Sequence, residues 1–112
     1  MTLREGFAMK SMAKRSQFVV TFGYRAKPGK AETLERVLRN CVPISRTEAG
    51  NMDYRLYHST DDDHVFFLFM RYASKHHYDM HLGKPYVQAV MAQYEDLLAD
   101  PPRIETYHSV LG

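Results

Sequence analysis

The sequence predicts an α+β domain with a ferredoxin-like βαββαβ order and an antiparallel sheet, and three observations lead to this fold class. Four separate runs rich in β-branched and aromatic residues predict strands. Two segments between them repeat apolar residues at helical spacing. The chain has 112 residues, which is enough for one domain with one hydrophobic core.

The first strand and helix occupy the first half of the chain. Residues 17–27 (QFVVTFGYRAK) predict a strand that ends at the turn signal Pro28-Gly29. A helix should follow, because apolar residues recur at i, i+3, i+4 and i+7, namely Leu34, Val37, Leu38 and Cys41. Pro43 is expected to kink or interrupt this helix, and Gly50 to mark its end.

A hairpin is predicted next, with strands over residues 51–59 and 64–72 joined by a polar turn. Its second strand contains the run VFFLFM at residues 65–70, which is apolar on both faces and therefore needs cover on both sides. Helices cover only one face of a small α+β sheet. We therefore expect a second copy of the sheet to cover the other face, which makes the protein a homodimer.

The second half should supply helices and a last strand. Ser74 can cap a helix through the segment HHYDMHL, which residues 83–85 interrupt. A second helical stretch places six apolar residues on one face: Val87, Val90, Met91, Tyr94, Leu97 and Leu98. Alternation over residues 103–110 predicts a final, half-buried strand.

Charge separates a leader from the folded body. The net charge of the chain is +2, but residues 1–16 carry +3 and the rest carries −1. We expect residues 1–16 to be a flexible basic leader and residues 17–112 to be the domain. A near-neutral body does not favour nucleic-acid binding, and no apolar run approaches the roughly 18 residues of a membrane span. A single cysteine agrees with a reducing compartment, so a cytoplasmic location is predicted.

Three segments, in this order, carry a resemblance to a known family. They are SRTEAG at residues 45–50, RYASK at 71–75 and HLGKPY at 81–86. Together they resemble the antibiotic biosynthesis monooxygenase family over roughly residues 17–110. The resemblance implies a dimeric α+β barrel in which two ferredoxin-like subunits pack sheet to sheet. It also implies a pocket between the sheet and the helices of each subunit.

The resemblance also implies a range of activities. Several members oxidise quinol-like or polyketide aromatics with molecular oxygen and use neither metal nor flavin. Others isomerise small sugar-derived signals, degrade haem or have no known activity. The chain departs from the family at Met70-Arg71-Tyr72, where many members have Glu-Arg-Trp, so a carboxylate and an indole are missing. Residues 88–92 (QAVMA) lack the histidine of haem-degrading relatives, which disfavours haem degradation.

His81 and Tyr72 are the candidate catalytic residues. His81 occupies the family's His-Leu position, and a neutral imidazole beside an apolar cavity can act as a base near neutral pH. It would deprotonate a phenolic substrate, whose anion can reduce oxygen without a cofactor. The phenol of Tyr72 could orient a substrate hydroxyl. The candidate substrate-binding residues are Phe22, Asn40, Tyr54, Phe66 and Met91.

Other interpretations of the same residues stay open. His77 and His81 lie at i, i+4 and could share a metal, but no His-Glu-x-x-His motif is present, so no metal site is expected. His81 could instead only pack a helix end. The protein could be an isomerase or another proton-transfer enzyme, or a ligand-binding dimer without activity. Cys41 is expected to be buried and inert.

Overall fold

The computed structural model describes residues 17–111, so the predicted leader over residues 1–16 lies outside the described part. The strands are β1 (Phe18–Arg25), β2 (Asn51–His58), β3 (Val65–Tyr72) and β4 (Arg103–His108). The helices are α1 (Ala31–Ser45), α2 (Lys75–Leu82), α3 (Pro85–Met91) and α4 (Tyr94–Leu97).

The four strands form one antiparallel sheet in the order β2-β3-β1-β4. The central strands β1 and β3 pair along their whole length, from Phe18 opposite Tyr72 to Arg25 opposite Val65. Each βαβ half therefore contributes one central and one edge strand. This arrangement confirms the ferredoxin-like α+β prediction.

The two faces of the sheet differ because strand side chains alternate. On β3, Phe66, Leu68, Met70 and Tyr72 are at most 3% exposed and face the helices. The opposite face carries exposed aromatic side chains, those of Tyr57, Phe67 and Tyr107. Among the described residues, helices cover only one face of β3. Cover of the other face by a second copy of the sheet is still a prediction.

Helix α1 packs one stripe against the sheet, with Leu34, Leu38, Cys41 and Ser45 buried. Pro43 lies inside the helix, which continues to Ser45 without ending at the proline. The prediction that α1 extends to Gly50 is wrong, because turns occupy residues 46–50. Gly50 has φ +80°, a left-handed conformation that favours glycine, and it leads directly into β2.

The second half differs from expectation in two places. Ser74 caps α2 as predicted, since its hydroxyl accepts from the backbone N–H of His77 at 3.3 Å. The single helix expected over residues 87–98 is instead the short pair α3 and α4, separated at residues 92–93. The prediction of a half-buried strand over residues 103–110 is wrong, because β4 ends at His108 and all six of its residues are exposed. Among residues 17–111, β4 pairs only with β1, at one edge of the sheet.

Among the helices of residues 17–111, none has the length and apolar character needed to cross a membrane.

Candidate functional site

The carboxylate of Glu48 is the centre of a buried polar cluster. Glu48 lies in the turn between α1 and β2, and its side chain is 7% exposed. Its Oε1 is 2.7 Å from His81 Nδ1 and accepts a hydrogen bond from the Tyr72 hydroxyl at 2.7 Å. Its Oε2 accepts from the hydroxyl of Tyr86. A buried carboxylate needs such donors, because an unpaired charge in the interior is very costly.

Four separate elements place these side chains. Tyr72 is the last residue of β3, His81 is near the end of α2 and Tyr86 is in the first turn of α3. Helix α2 can approach the turn that holds Glu48 because residue 50 is glycine. A Cβ atom on Gly50 would lie 2.3 Å from the imidazole ring of His77.

His81 is held as a neutral base. Its residue exposure is 3%, and burial is the main effect, lowering its pKa below the ordinary value of 6.5. The charge and hydrogen bond of Glu48 oppose this effect, while the charge of Lys84 lowers the pKa further. With Nδ1–H donating to the carboxylate, the lone pair lies on Nε2. That nitrogen is on the opposite edge of the ring and is the atom that can accept a proton.

The two tyrosines of the cluster act as donors to Glu48. Burial is the main effect that raises the pKa of both Tyr72 and Tyr86, and the hydrogen bond that each hydroxyl donates to Glu48 raises it further, so both phenols keep their protons. The Tyr72 proton is already donated to Glu48, and its ring lies 5.5 Å from that of His81. Tyr72 is not among the residues that line the cavity described below, and its hydroxyl contacts Glu48.

A small apolar cavity lies between the sheet and the helices, and His81 forms part of its wall. Three predicted substrate-binding residues, Phe22, Tyr54 and Met91, line the same cavity. Its volume is about 30 Å³, which is room for two or three water molecules at roughly 10–15 Å³ each. An aromatic substrate can enter only if a wall moves.

The structure does not bring Asn40 and Phe66 into this cavity. Asn40 is exposed on α1, because it lies about 100° around the helix axis from the buried Cys41. Phe66 is 1% exposed and its ring stacks on that of His58 at 4.4 Å. It lines a separate open groove between α1 and β2.

The two histidines considered for a metal have other partners. His77 Nδ1 lies 2.8 Å from the hydroxyl of Ser74, while His81 Nδ1 bonds to Glu48. Within residues 17–111, no three His, Cys, Asp or Glu side chains come together in an arrangement that could hold a metal ion. Cys41 is buried, and burial raises the pKa of its thiol.

Sequence reasoning missed Glu48, Tyr86 and Ser45, whose hydroxyl lies 2.9 Å from that of Tyr86. The carboxylate is 33 residues from His81 along the chain, so no local spacing indicates the contact. One signal was present. All three residues fall within SRTEAG and HLGKPY, two of the segments that carry the family resemblance.

Comparison with known proteins identifies the family and the fold. A family model described as antibiotic biosynthesis monooxygenase matches residues 17–93. The Synechocystis protein sll1783 is 29% identical over 89 residues, a match that covers 80% of this chain. The chain spans about 60% of the length of that relative.

Solved structures give the same fold. PA3566 from Pseudomonas aeruginosa matches with a TM-score of 0.82 and 26% identity, covering 88% of this chain and 98% of its own. Rv0793 from Mycobacterium tuberculosis matches with a TM-score of 0.82 and 28% identity, covering 87% of this chain and 98% of its own. The whole sheet and its helices are thus shared with these proteins.

Proposed function

Because this chain belongs to the antibiotic biosynthesis monooxygenase family, we propose that it oxidises a quinol-type or polycyclic aromatic molecule with molecular oxygen. The family supports a monooxygenase function in general terms. The observation that carries the proposal is the buried pair of His81 and Glu48 at the wall of an apolar cavity. The reaction is proposed to need neither metal nor flavin.

The proposed reaction begins with proton transfer to Nε2 of His81. The substrate is a phenol or an acidic C–H compound, and Glu48 stabilises the imidazolium that forms. The resulting anion gives one electron to oxygen, and the two radicals combine to form a C–O bond. In balance, the substrate loses two hydrogen atoms and gains one oxygen atom as a carbonyl. The second oxygen atom leaves as water.

The apolar cavity supports the chemistry by excluding water. An anion in a low-dielectric site is held by the few charges around it and is not stabilised by bulk solvent. A substrate can enter only if part of the cavity wall moves. The part that contains Met91 is the candidate, because this flexible side chain is 40% exposed. Helix α3, which carries Met91, has only seven residues.

The proposal includes a homodimer formed through the outer face of the sheet. Phe67 is 42% exposed and its ring lies 6.2 Å from that of Tyr57, which is 48% exposed. A contiguous apolar and aromatic patch of this kind usually marks an interaction site. The predicted cytoplasmic location and the absence of nucleic-acid and membrane partners belong to the same proposal.

Oxygen consumption tests the function. Metal-stripped, flavin-free protein is given a panel of hydroquinones and anthrones, and the variant His81→Ala is compared with His76→Ala, an exposed histidine of the same helix. General-base catalysis contributes about 10²–10⁴ in rate, so His81→Ala should lose at least about a hundredfold. His76→Ala should keep the wild-type rate. Full turnover by folded His81→Ala would refute the assigned role.

Turnover and binding assays under nitrogen, with small carbonyl compounds added to the panel, separate the alternatives. Turnover of a small carbonyl compound that needs His81 but no oxygen would replace oxidation by an isomerase or other proton transfer. Ligand binding without turnover under either gas would favour a binding protein.

A further inference from the structure

An open groove lies between α1 and β2, at the end of the sheet away from the Glu48 cluster. Its volume is about 420 Å³, which is within the roughly 300–1,000 Å³ of small-molecule sites. Phe66 lines the groove and is six residues before Tyr72 on β3, about 20 Å along the strand. The groove is therefore separate from His81, and the proposed oxidation does not use it.

A flat aromatic surface forms one wall of the groove. The rings of His58 and Phe66 stack with their centroids 4.4 Å apart and an angle of 4° between their planes. His58 is held in this position because its Nε2–H donates to the backbone carbonyl of Asp63 at 2.8 Å. The side chain of His58 is 43% exposed, whereas Phe66 is 1% exposed. The ring that a planar ligand can reach is therefore that of His58.

The remaining wall is apolar and partly rigid. Val42 and Pro43 of α1 and Leu56 of β2 line it. Proline is unfavourable inside a helix, and α1 contains one where its ring borders the groove. The pyrrolidine ring has almost no rotamer freedom to lose, so this part of the wall can bind a ligand at little entropic cost.

Two arginines give the groove a positive charge. The Nε–H of Arg46 donates to the backbone carbonyl of Tyr54 at 3.1 Å, which orients the guanidinium. In the part of the chain that the structure describes, the two Nη groups of Arg46 have no hydrogen-bond or ion-pair partner. Arg39 pairs with Glu35 at 3.2 Å, and its side chain is 71% exposed. Two arginines and one glutamate leave the lining, His58 apart, with a net charge of +1.

We propose that this groove binds an aromatic carboxylate, as a ligand site separate from the one at His81. The ring of the ligand stacks on His58 and packs against Pro43. Its carboxylate accepts hydrogen bonds from the two Nη groups of Arg46, because a planar guanidinium matches the two oxygens of a carboxylate. One negative charge also balances the net charge of the lining. The inference does not depend on the proposed function.

Two probes of the same shape test the role of the charge. Isothermal titration compares 2-naphthoate with 2-naphthamide, which has the same rings but no charge. The wild-type protein should bind 2-naphthoate at least about tenfold more tightly, as expected for hydrogen bonds to a charged group. Arg46→Gln should lose this preference, although its amide can still donate to Tyr54. Arg103→Gln is the matched control and should keep the preference, because Arg103 lies on β4 outside the groove and its side chain is 81% exposed.

An NMR titration locates the bound ligand. 2-Naphthoate should shift the methyl signals of Val42 and Leu56, which line the groove, and not those of Val87, which lines the cavity at His81. Shifts confined to Val87 would overturn the inference. The same shifts at Leu56 on raising the protein concentration without a probe would mean that a second copy fills the groove, and would overturn it as well.

The affinities themselves can also refute the proposal. Arg39→Gln repeats the test should Arg46→Gln unfold, which circular dichroism detects. Equal affinities of the two probes for the wild-type protein, no binding at millimolar concentrations, or a preference that survives in the folded variant would each overturn the inference.

Discussion

Replacing Glu48 with glutamine should weaken the fold by removing a buried acceptor. The carboxylate accepts hydrogen bonds from His81, Tyr72 and Tyr86. A glutamine has the same shape, but its amide nitrogen is a donor, so at least one buried donor loses its acceptor. Since a hydrogen bond to a charged group is worth about 1.5–3 kcal/mol, we expect the free energy of unfolding to fall by about 2 kcal/mol.

The same change should alter the basicity of His81. Burial lowers the pKa of His81, and the charge and hydrogen bond of Glu48 oppose this. Without the negative charge the pKa should fall further below 6.5. The acid limb of kcat/KM reports the base in the free enzyme, so it should move to lower pH. The plateau should drop as well, because the imidazolium loses its stabilising partner.

Two measurements check this prediction. Urea unfolding followed by circular dichroism gives the stability, and an NMR titration gives the pKa of His81 without a substrate. Glu35→Gln is the matched control, because Glu35 pairs with Arg39 on the surface of α1 and its side chain is 37% exposed. An exposed pair of this kind contributes at most about 1 kcal/mol. Wild-type stability and an unmoved titration in Glu48→Gln would refute the reasoning.

Three further predictions concern packing, charge and assembly. Gly50→Ala should lower the melting temperature more than Gly29→Ala does. Both glycines have positive φ, but only at residue 50 would a Cβ atom lie 2.3 Å from an imidazole. Equal decreases in melting temperature would contradict this reasoning. Lys84→Gln should raise the His81 pKa in an NMR titration, an effect that shrinks with salt; an unchanged value would remove the assigned cause. Phe67→Glu should give a monomer in size-exclusion chromatography. Met80→Glu is the control and should stay dimeric, because Met80 is 48% exposed on the helix side of the sheet. A dimeric Phe67→Glu variant would place the interface elsewhere.

The elements could be predicted because their signals are local. Runs rich in β-branched and aromatic residues predicted β1, β2 and β3 within two residues of their bounds. Ser74 identified the start of α2 through its capping hydroxyl. The break between α3 and α4 has no comparable signal, since residues 92–93 are Ala and Gln, both compatible with a helix. The exposure of β4 follows from sheet order, which is a tertiary property.

The site could be predicted only in part, because it depends on how elements dock. His81 was found from its family position and its chemistry. Asn40 lies off the apolar stripe of Leu34, Leu38 and Cys41, so the helical spacing already indicated its exposure. The family resemblance places a carboxylate at position 70, in β3, where this chain has methionine. The fold supplies the carboxylate of Glu48 from the turn after α1 instead.

The side chains of the Glu48 cluster come from four separate elements, which links the assembly of the cluster to folding. Glu48 belongs to the first βα half of the chain, whereas Tyr72, His81 and Tyr86 belong to the second. The contact between His81 and Glu48 exists only when both halves are docked. Under the proposed function, an undocked chain would lack this pair, and we expect it to form the substrate anion more slowly than the folded protein does. The hydrogen bonds that join the two halves would then also determine when the chemistry can begin.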